Sequence, residues 1–274
     1  MTFWEAVFCG IIQGLTEFLP VSSSGHLALA HAFFGLENTE SYLTFDILLH
    51  LATLFVVFIV YHKDIFALVP AFFTMLGKIV HGNFRLSSYT ESERMMCLLI
   101  VATLPLAAAV FVKDYVEVIA AYAKAVGVIL IANGLLLLFA DRLASRVKER
   151  SLSVKGAFGI GLFQLAAALF PGLSRSGSTI SGGMLFGLSR KSAVKFSFIL
   201  SIPAILGANL VNIADAFTAP IPQAQLGYYV IGMMFAVIAG FCAVKFLTYI
   251  SEKGKFGYFA YYCMIIGALS LIFG

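Results

Sequence analysis

The sequence predicts an all-α integral membrane protein built as an inverted-topology repeat, with six spanning helices plus two pairs of broken re-entrant helices. Three observations predict it. Of the 274 residues, 61% are hydrophobic and only 12% are charged, against about 25% charged in a soluble domain, so the solvent of this chain is lipid. A polar motif interrupts the apolar sequence twice, in matching order. Basic residues gather in the loops that such a repeat places on one side of the membrane.

A spanning helix needs about 20 apolar residues. Runs at 44–61, 95–112, 115–140, 196–214, 226–250 and 256–273 qualify. Other apolar pieces are too short or too broken to span. Those at 3–19 and 27–36 precede the first span, and those at 154–170 and 179–188 precede the fourth. A piece at 65–80 carries Pro70 and basic neighbours and reads as interfacial. Pro105 and Pro203 predict kinks within spans. Cys9, Cys97, Cys242 and Cys263 lie in apolar runs without paired or metal-like spacing, as small core residues do.

The broken pieces repeat. "GIIQGLTEFLPVSSSG" begins at Gly10 and "GLFQLAAALFPGLSRSG" at Gly161. Gln13 corresponds to Gln164 and Pro20 to Pro171. A Ser-x-Ser-Gly follows each proline, as Ser22, Ser24, Gly25 and as Ser174, Ser176, Gly177, and "FGL" then recurs at 34–36 and 186–188. The chain is therefore one membrane domain, 1–274, with repeats at about 3–140 and 154–273 joined by a basic loop at 141–153. Each half holds three spans, an odd number, so the halves insert in opposite senses.

Loop charge tests that layout independently. One side receives 62–94, 141–155, 189–195 and 251–255, which carry most of the lysines and arginines. The other receives 37–43, 113–114 and 215–225, with Lys113 alone. The basic side is cytoplasmic by the positive-inside rule. The first broken pair then dips in from outside, the second from inside, and both chain ends lie outside.

Inverted repeats bring their broken elements face to face near the midplane. That would set 20–26 against 171–179, with a short helix starting after each break, at about Gly25 and Gly177. Two helix N-termini meeting at one point make an anion site, and Arg175 adds a planar cationic fork suited to phosphate. Ser22 and Ser24 read equally as helix caps or as ligand donors. Glu17 is an ionisable group at membrane depth, which points to function. Arg175 either serves an anion or simply neutralises Glu17. Asp46 and His50, spaced i, i+4 on the first span, either support the site or face a wet entrance.

"QGLTEFLPVSSSGH" and "PGLSRSGSTISGG" resemble the two signature motifs of the undecaprenyl-diphosphate phosphatase family, the membrane enzymes that recycle the lipid carrier of bacterial cell-wall synthesis and confer bacitracin resistance. The resemblance covers essentially the whole chain, including Phe45–Asp46 at the start of the first span. The family's first motif begins with Glu or Gln, then three residues, then Glu, here Gln13 and Glu17. Its Ser and His carry over to Ser23 and His26, and its Arg to Arg175.

The resemblance implies hydrolysis of undecaprenyl diphosphate to undecaprenyl phosphate and inorganic phosphate, in a bacterial inner membrane, at a site open to the external side. It implies Glu17, Ser23, His26 and Arg175 as catalytic residues. Ser22, Ser24, Ser174, Ser176 and Thr179 would bind the phosphates. A divalent cation, Mg²⁺ or Ca²⁺, would sit on Glu17 and Gln13. Ser23, His26 or a metal-bound water remain open as the nucleophile. A transporter or flippase for a phosphorylated lipid would use the same anion site without chemistry. The expected partners are a polyprenyl diphosphate and membrane lipids, and no nucleic acid. The Gly232–Ala236–Gly240 face would permit a homodimer.

Overall fold

The computed structural model describes residues 1–34, 40–82, 88–112, 116, 119, 122–144, 149–218 and 225–273. The expected loop at 113–114 lies outside them, with parts of the expected loops at 37–43, 62–94, 141–153 and 215–225 and of the "FGL" recurrence at 34–36.

Helix α1 (Phe3–Phe18) opens with a capping box in which Thr2 and Glu5 satisfy each other's backbone N–H groups. It stops because Pro20 cannot donate and forces the residue before it out of helical geometry. Leu19 is accordingly extended, at φ −68° and ψ 144°. Helix α7 (Val154–Leu169) ends the same way, with Phe170 extended at φ −118° and ψ 96° ahead of Pro171. Each break then passes through one residue in the left-handed region, Ser22 (φ 75°) and Gly172 (φ 101°). Gly172 has no Cβ to strain there, whereas Ser22 bears that strain.

The chain restarts as α2 (Ser23–Phe34) and α8 (Arg175–Leu185). Both start two residues earlier than the sequence suggested, because Ser22 and Ser174 are the caps. Ser22 Oγ accepts from the Gly25 N–H at 3.3 Å, and Ser174 Oγ accepts from the Gly177 N–H at 3.0 Å.

The remaining helices are α3 (Glu40–Val60), α4 (His62–Val80), α5 (Glu91–Thr103), α6 (Ala123–Ala144), α9 (Arg190–Thr218), α10 (Leu226–Lys253) and α11 (Gly257–Phe273). A 3₁₀ segment, Leu104–Val112, continues α5 past Pro105. The expected kink there is a change of helix type, since proline removes an i→i−4 bond. Pro203 lies inside the continuous helix α9. Among the described residues there is no strand.

Four helices are long and apolar enough to cross a membrane: Glu91–Val112, Ala123–Ala144, Arg190–Val211 and Leu226–Lys253. They match four of the six expected spans. The expected span at 44–61 is the first arm of a pair, Thr44–Val60 and His62–Val80, bent by 88°. The last, expected at 256–273, is the shorter apolar helix Gly257–Phe273. Side chains such as Phe66, Phe73, Phe111 and Phe273 stand exposed, as lipid-facing groups do in a multi-pass membrane protein.

Helix α1 packs along α10, and α7 along α5 and the 3₁₀ segment, while α6 pairs with α11 and α3 with α9. Small residues permit these approaches. A Cβ on Gly10 would lie 2.3 Å from the Gly232 carbonyl oxygen, and one on Gly14 would lie 2.5 Å from that of Ala236. The Gly232–Ala236–Gly240 face is therefore filled by α1 and is not free for a homodimer. Cys9, Cys97 and Cys263 are buried as expected, but Cys242 is exposed.

Candidate active site

The two breaks meet. Phe18 packs edge-on against Phe198, with ring centroids 5.4 Å apart, in a core that also holds Val56, Ile180, Val244 and Cys263. Polar bonds then fasten break to break. Asn133 of α6 is fully buried. Its Nδ2 donates to the Pro20 carbonyl at 3.0 Å, and its Oδ1 accepts from the Ser174 N–H at 3.2 Å. One side chain thus satisfies a backbone group from each break, which buried backbone requires. Ser176 Oγ donates to the Leu19 carbonyl at 3.2 Å, a second fastening.

Glu17 stands at the centre, 5% exposed. Its Oε1 is paired with Arg175 Nη2. Its Oε2 accepts from Ser23 Oγ at 2.8 Å and from Gln13 Nε2 at 3.0 Å. His50 Nε2 faces the same oxygen at 3.6 Å. The structure thus brings together Gln13, Glu17, Ser23 and Arg175, with His50 beside them. The other guanidinium nitrogen, Arg175 Nη1, is buried without a hydrogen-bond partner. A buried cationic donor left open in this way is a place for an anion oxygen.

His26 is half-buried and turns elsewhere. Its Nδ1 meets the Ser22 carbonyl at 2.8 Å, and its Nε2 meets the Tyr262 hydroxyl at 2.8 Å. No hydrogen bond among the described residues links it to Ser23 or Glu17. Ser24 is exposed and lies 3.4 Å from Ser22 Oγ. Ser174 and Ser176 mirror that pair at 3.1 Å. Thr179 donates to the Arg175 carbonyl at 2.9 Å and meets Ser197 Oγ at 2.6 Å, which pins α8 to α9. The hydroxyls of Ser22, Ser174, Ser176 and Thr179, expected on the phosphates, are thus engaged within the protein.

A family profile described as "Bacitracin resistance protein BacA" matches residues 6–269. The chain belongs to this family. Relatives named "Undecaprenyl-diphosphatase" agree along the full length. The one from Methanobrevibacter smithii is 40% identical over 273 residues, covering 98% of this chain and 96% of its own. That from Parabacteroides distasonis is 40% identical over 278 residues, covering 99% and 98%. That from Halothermothrix orenii is 36% identical over 274 residues, covering 99% and 98%.

For this BacA-family chain the fit of a divalent cation can be tested on the residues themselves. Among the described residues no group of three or more His, Cys, Asp or Glu comes together to hold one. Glu17 supplies one carboxylate, and Gln13 Oε1 is a buried oxygen with no hydrogen-bond partner. One carboxylate and one neutral carbonyl fit a hard cation that takes its remaining ligands from substrate phosphates and water, as Mg²⁺ does.

Two residues, Asn133 and Tyr262, escaped the sequence reading. Asn133 carried a signal, a lone amide within the apolar run "VILIANGLLLL", since a polar group in a span marks a partner. For His50 and Asp46 the sequence left two readings open on their i, i+4 spacing. The structure turns His50 Nε2 to Glu17, while Asp46 Oδ1 meets His31 Nε2 at 3.6 Å. Tyr262, one of several tyrosines on α11, carried none.

Proposed function

We propose that this chain hydrolyses undecaprenyl diphosphate to undecaprenyl phosphate and inorganic phosphate, recycling a lipid carrier for cell-wall synthesis and so giving resistance to bacitracin. The observation that carries the reading is the convergence of Glu17, Ser23 and Arg175 where the two breaks meet, in a chain whose full-length relatives bear the name undecaprenyl-diphosphatase.

Ser23 is the nucleophile. Its O–H already donates to Glu17 Oε2, so the carboxylate is placed to take the proton as Ser23 Oγ attacks the terminal phosphorus. The bond to the bridging oxygen breaks and undecaprenyl phosphate leaves with that oxygen. Water then cleaves the phosphoserine, Ser23 recovers a proton, and inorganic phosphate departs. Arg175 offers Nη1 to the transferring phosphoryl group, whose charge is spread over its outer oxygens. The N-termini of α2 and α8 add their dipoles, and Ser24 adds an exposed hydroxyl. His26 supplies or removes the proton at the leaving group. A divalent cation, Mg²⁺ or Ca²⁺, would be held by Glu17 and Gln13 and would supply further charge neutralisation on the diphosphate. Ser23→Ala should abolish phosphate release from undecaprenyl diphosphate; undiminished release would move the nucleophile elsewhere.

The inverted repeat is part of this proposal. Contacts in one half have counterparts in the other: α1 with α10 answers α7 with α5, and α1 with α2 answers α7 with α8. Helices that a two-fold relation maps onto each other, α6 with α11 and α3 with α9, pack together. In this layout α3, α5 with its 3₁₀ extension, α6, α9, α10 and α11 cross the membrane, and α4 lies along the interface. Loop 141–153 is cytoplasmic and the site opens outward. Cysteine labelling in intact cells should reach 215–225 from outside and 141–155 only after permeabilisation. Labelling of both from one side would sink the inverted layout.

A further inference from the structure

Both ring nitrogens of His26 have partners, and the partners fix where the proton sits. Nδ1 lies 2.8 Å from the Ser22 carbonyl oxygen. A carbonyl can only accept, so Nδ1 carries a hydrogen. In the neutral ring Nε2 is then a lone pair, and the Tyr262 hydroxyl at 2.8 Å donates to it. The two rings also lie nearly parallel, 11° apart with centroids at 5.6 Å. The carbonyl of Ser22 is aimed by the left-handed backbone of that residue, φ 75°. It also accepts the His26 backbone N–H at 3.3 Å. Tyr262 comes from α11, 236 positions further along the chain.

We propose that Tyr262 is a positioning residue for His26: the Ser22 carbonyl sets the tautomer, and the phenol holds the ring so that Nε2 exchanges its proton through the Tyr262 hydroxyl. The proposal rests on the hydrolase reading above, in which His26 handles a proton. A histidine held at one nitrogen alone keeps its tautomer but can still turn about its side-chain bonds. The phenol prevents that turning, and it serves either charge state. Its O–H donates to the neutral ring, and its oxygen accepts from Nε2–H once His26 is protonated. The proton therefore arrives and departs through the phenol, whose O–H passes its hydrogen to Nε2 as its oxygen takes one from the site. The second half of the chain also completes the first half's histidine, much as Arg175 completes its carboxylate.

Tyr262→Phe tests this, because phenylalanine retains the ring and its stacking and removes only the hydroxyl. Phosphate release from undecaprenyl diphosphate is measured in detergent for the wild type, Tyr262→Phe, His26→Gln and the double variant. Nitrogen-15 spectra are recorded on histidine-labelled protein, with the His26 signal assigned by its loss in His26→Gln. The expected result is a kcat lower by about tenfold or more in Tyr262→Phe with KM little changed, a part of the general acid–base contribution. No further loss is expected when the change is added to His26→Gln. The His26 spectrum should show the Nδ1–H form in both proteins, with the Nε2 signal shifted in Tyr262→Phe by the loss of the donated hydroxyl. A wild-type kcat in Tyr262→Phe would overturn the proposal, as would a His26 spectrum that the substitution leaves unchanged. A wild-type protein that releases no phosphate would instead sink the hydrolase reading, and the spectrum would still show whether the hydroxyl holds Nε2.

Discussion

Glu17 and Arg175 lie 158 positions apart and form an ion pair across the junction of the two breaks. The Glu17 side chain is almost fully buried, with an exposure of 4%, and the Arg175 side chain retains 20%. Burying two charges is costly unless further bonds satisfy them. Glu17 has those bonds, from Ser23 and Gln13. Arg175 does not, since Nη1 is left without a partner. The pair thus neutralises Glu17 and also leaves a donor open for phosphate.

Arg175→Lys separates these two roles. Lysine keeps the charge near Glu17 and loses the planar fork. Folding should survive, with thermal stability close to the wild type, while kcat falls by about 100-fold or more, as when a transition-state donor is removed. A fully active lysine variant would reduce Arg175 to a counter-ion. Thermal unfolding and phosphate release on one preparation distinguish the cases.

Gln13→Glu should retain hydrolysis and make it depend more steeply on divalent cation. The new carboxylate would face Glu17, replacing the amide that now donates at 3.0 Å. Two like charges in one buried place need a cation between them. Titrating Mg²⁺ against activity for both proteins checks this. Loss of activity with an unchanged metal profile would mean that Gln13 contacts substrate.

Asn133→Leu should cost both stability and activity. It strips a partner from the Pro20 carbonyl and from the Ser174 N–H at once. The Ser174 N–H is then stranded at a cost of about 1–3 kcal/mol, the Pro20 carbonyl keeps only the Cys263 thiol at 3.6 Å, and the two breaks lose their shared support. Thermal unfolding in detergent should show the loss. A variant as stable as the wild type would mean that the breaks are held by other contacts.

Much of this was legible in the sequence because its causes are local. Pro20 and Pro171 end helices by their own covalent geometry, and Ser22 and Ser174 cap the next ones within three residues. The matched prolines therefore announced both breaks and the place where charge would gather. The starts of α2 and α8 were displaced by two residues only because a cap and a phosphate ligand look alike in a serine-rich stretch. The missing parts depend on distant packing. Tyr262 reaches His26 only because α11 sits beside α2, and Asn133 reaches both breaks only from α6. The small-residue face on α10 suggested a second copy, because nothing in its own sequence names α1 as its occupant.

The most direct measurement is phosphate release from undecaprenyl diphosphate by the detergent-purified wild-type chain. Detergent removes the sealed compartments that transport requires and leaves the junction of Glu17, Ser23 and Arg175 intact. The account predicts one inorganic phosphate and one undecaprenyl phosphate for each substrate consumed, over many turnovers. A folded protein that binds the lipid diphosphate and releases no phosphate would contradict it, and would make the joined breaks a carrier's binding site.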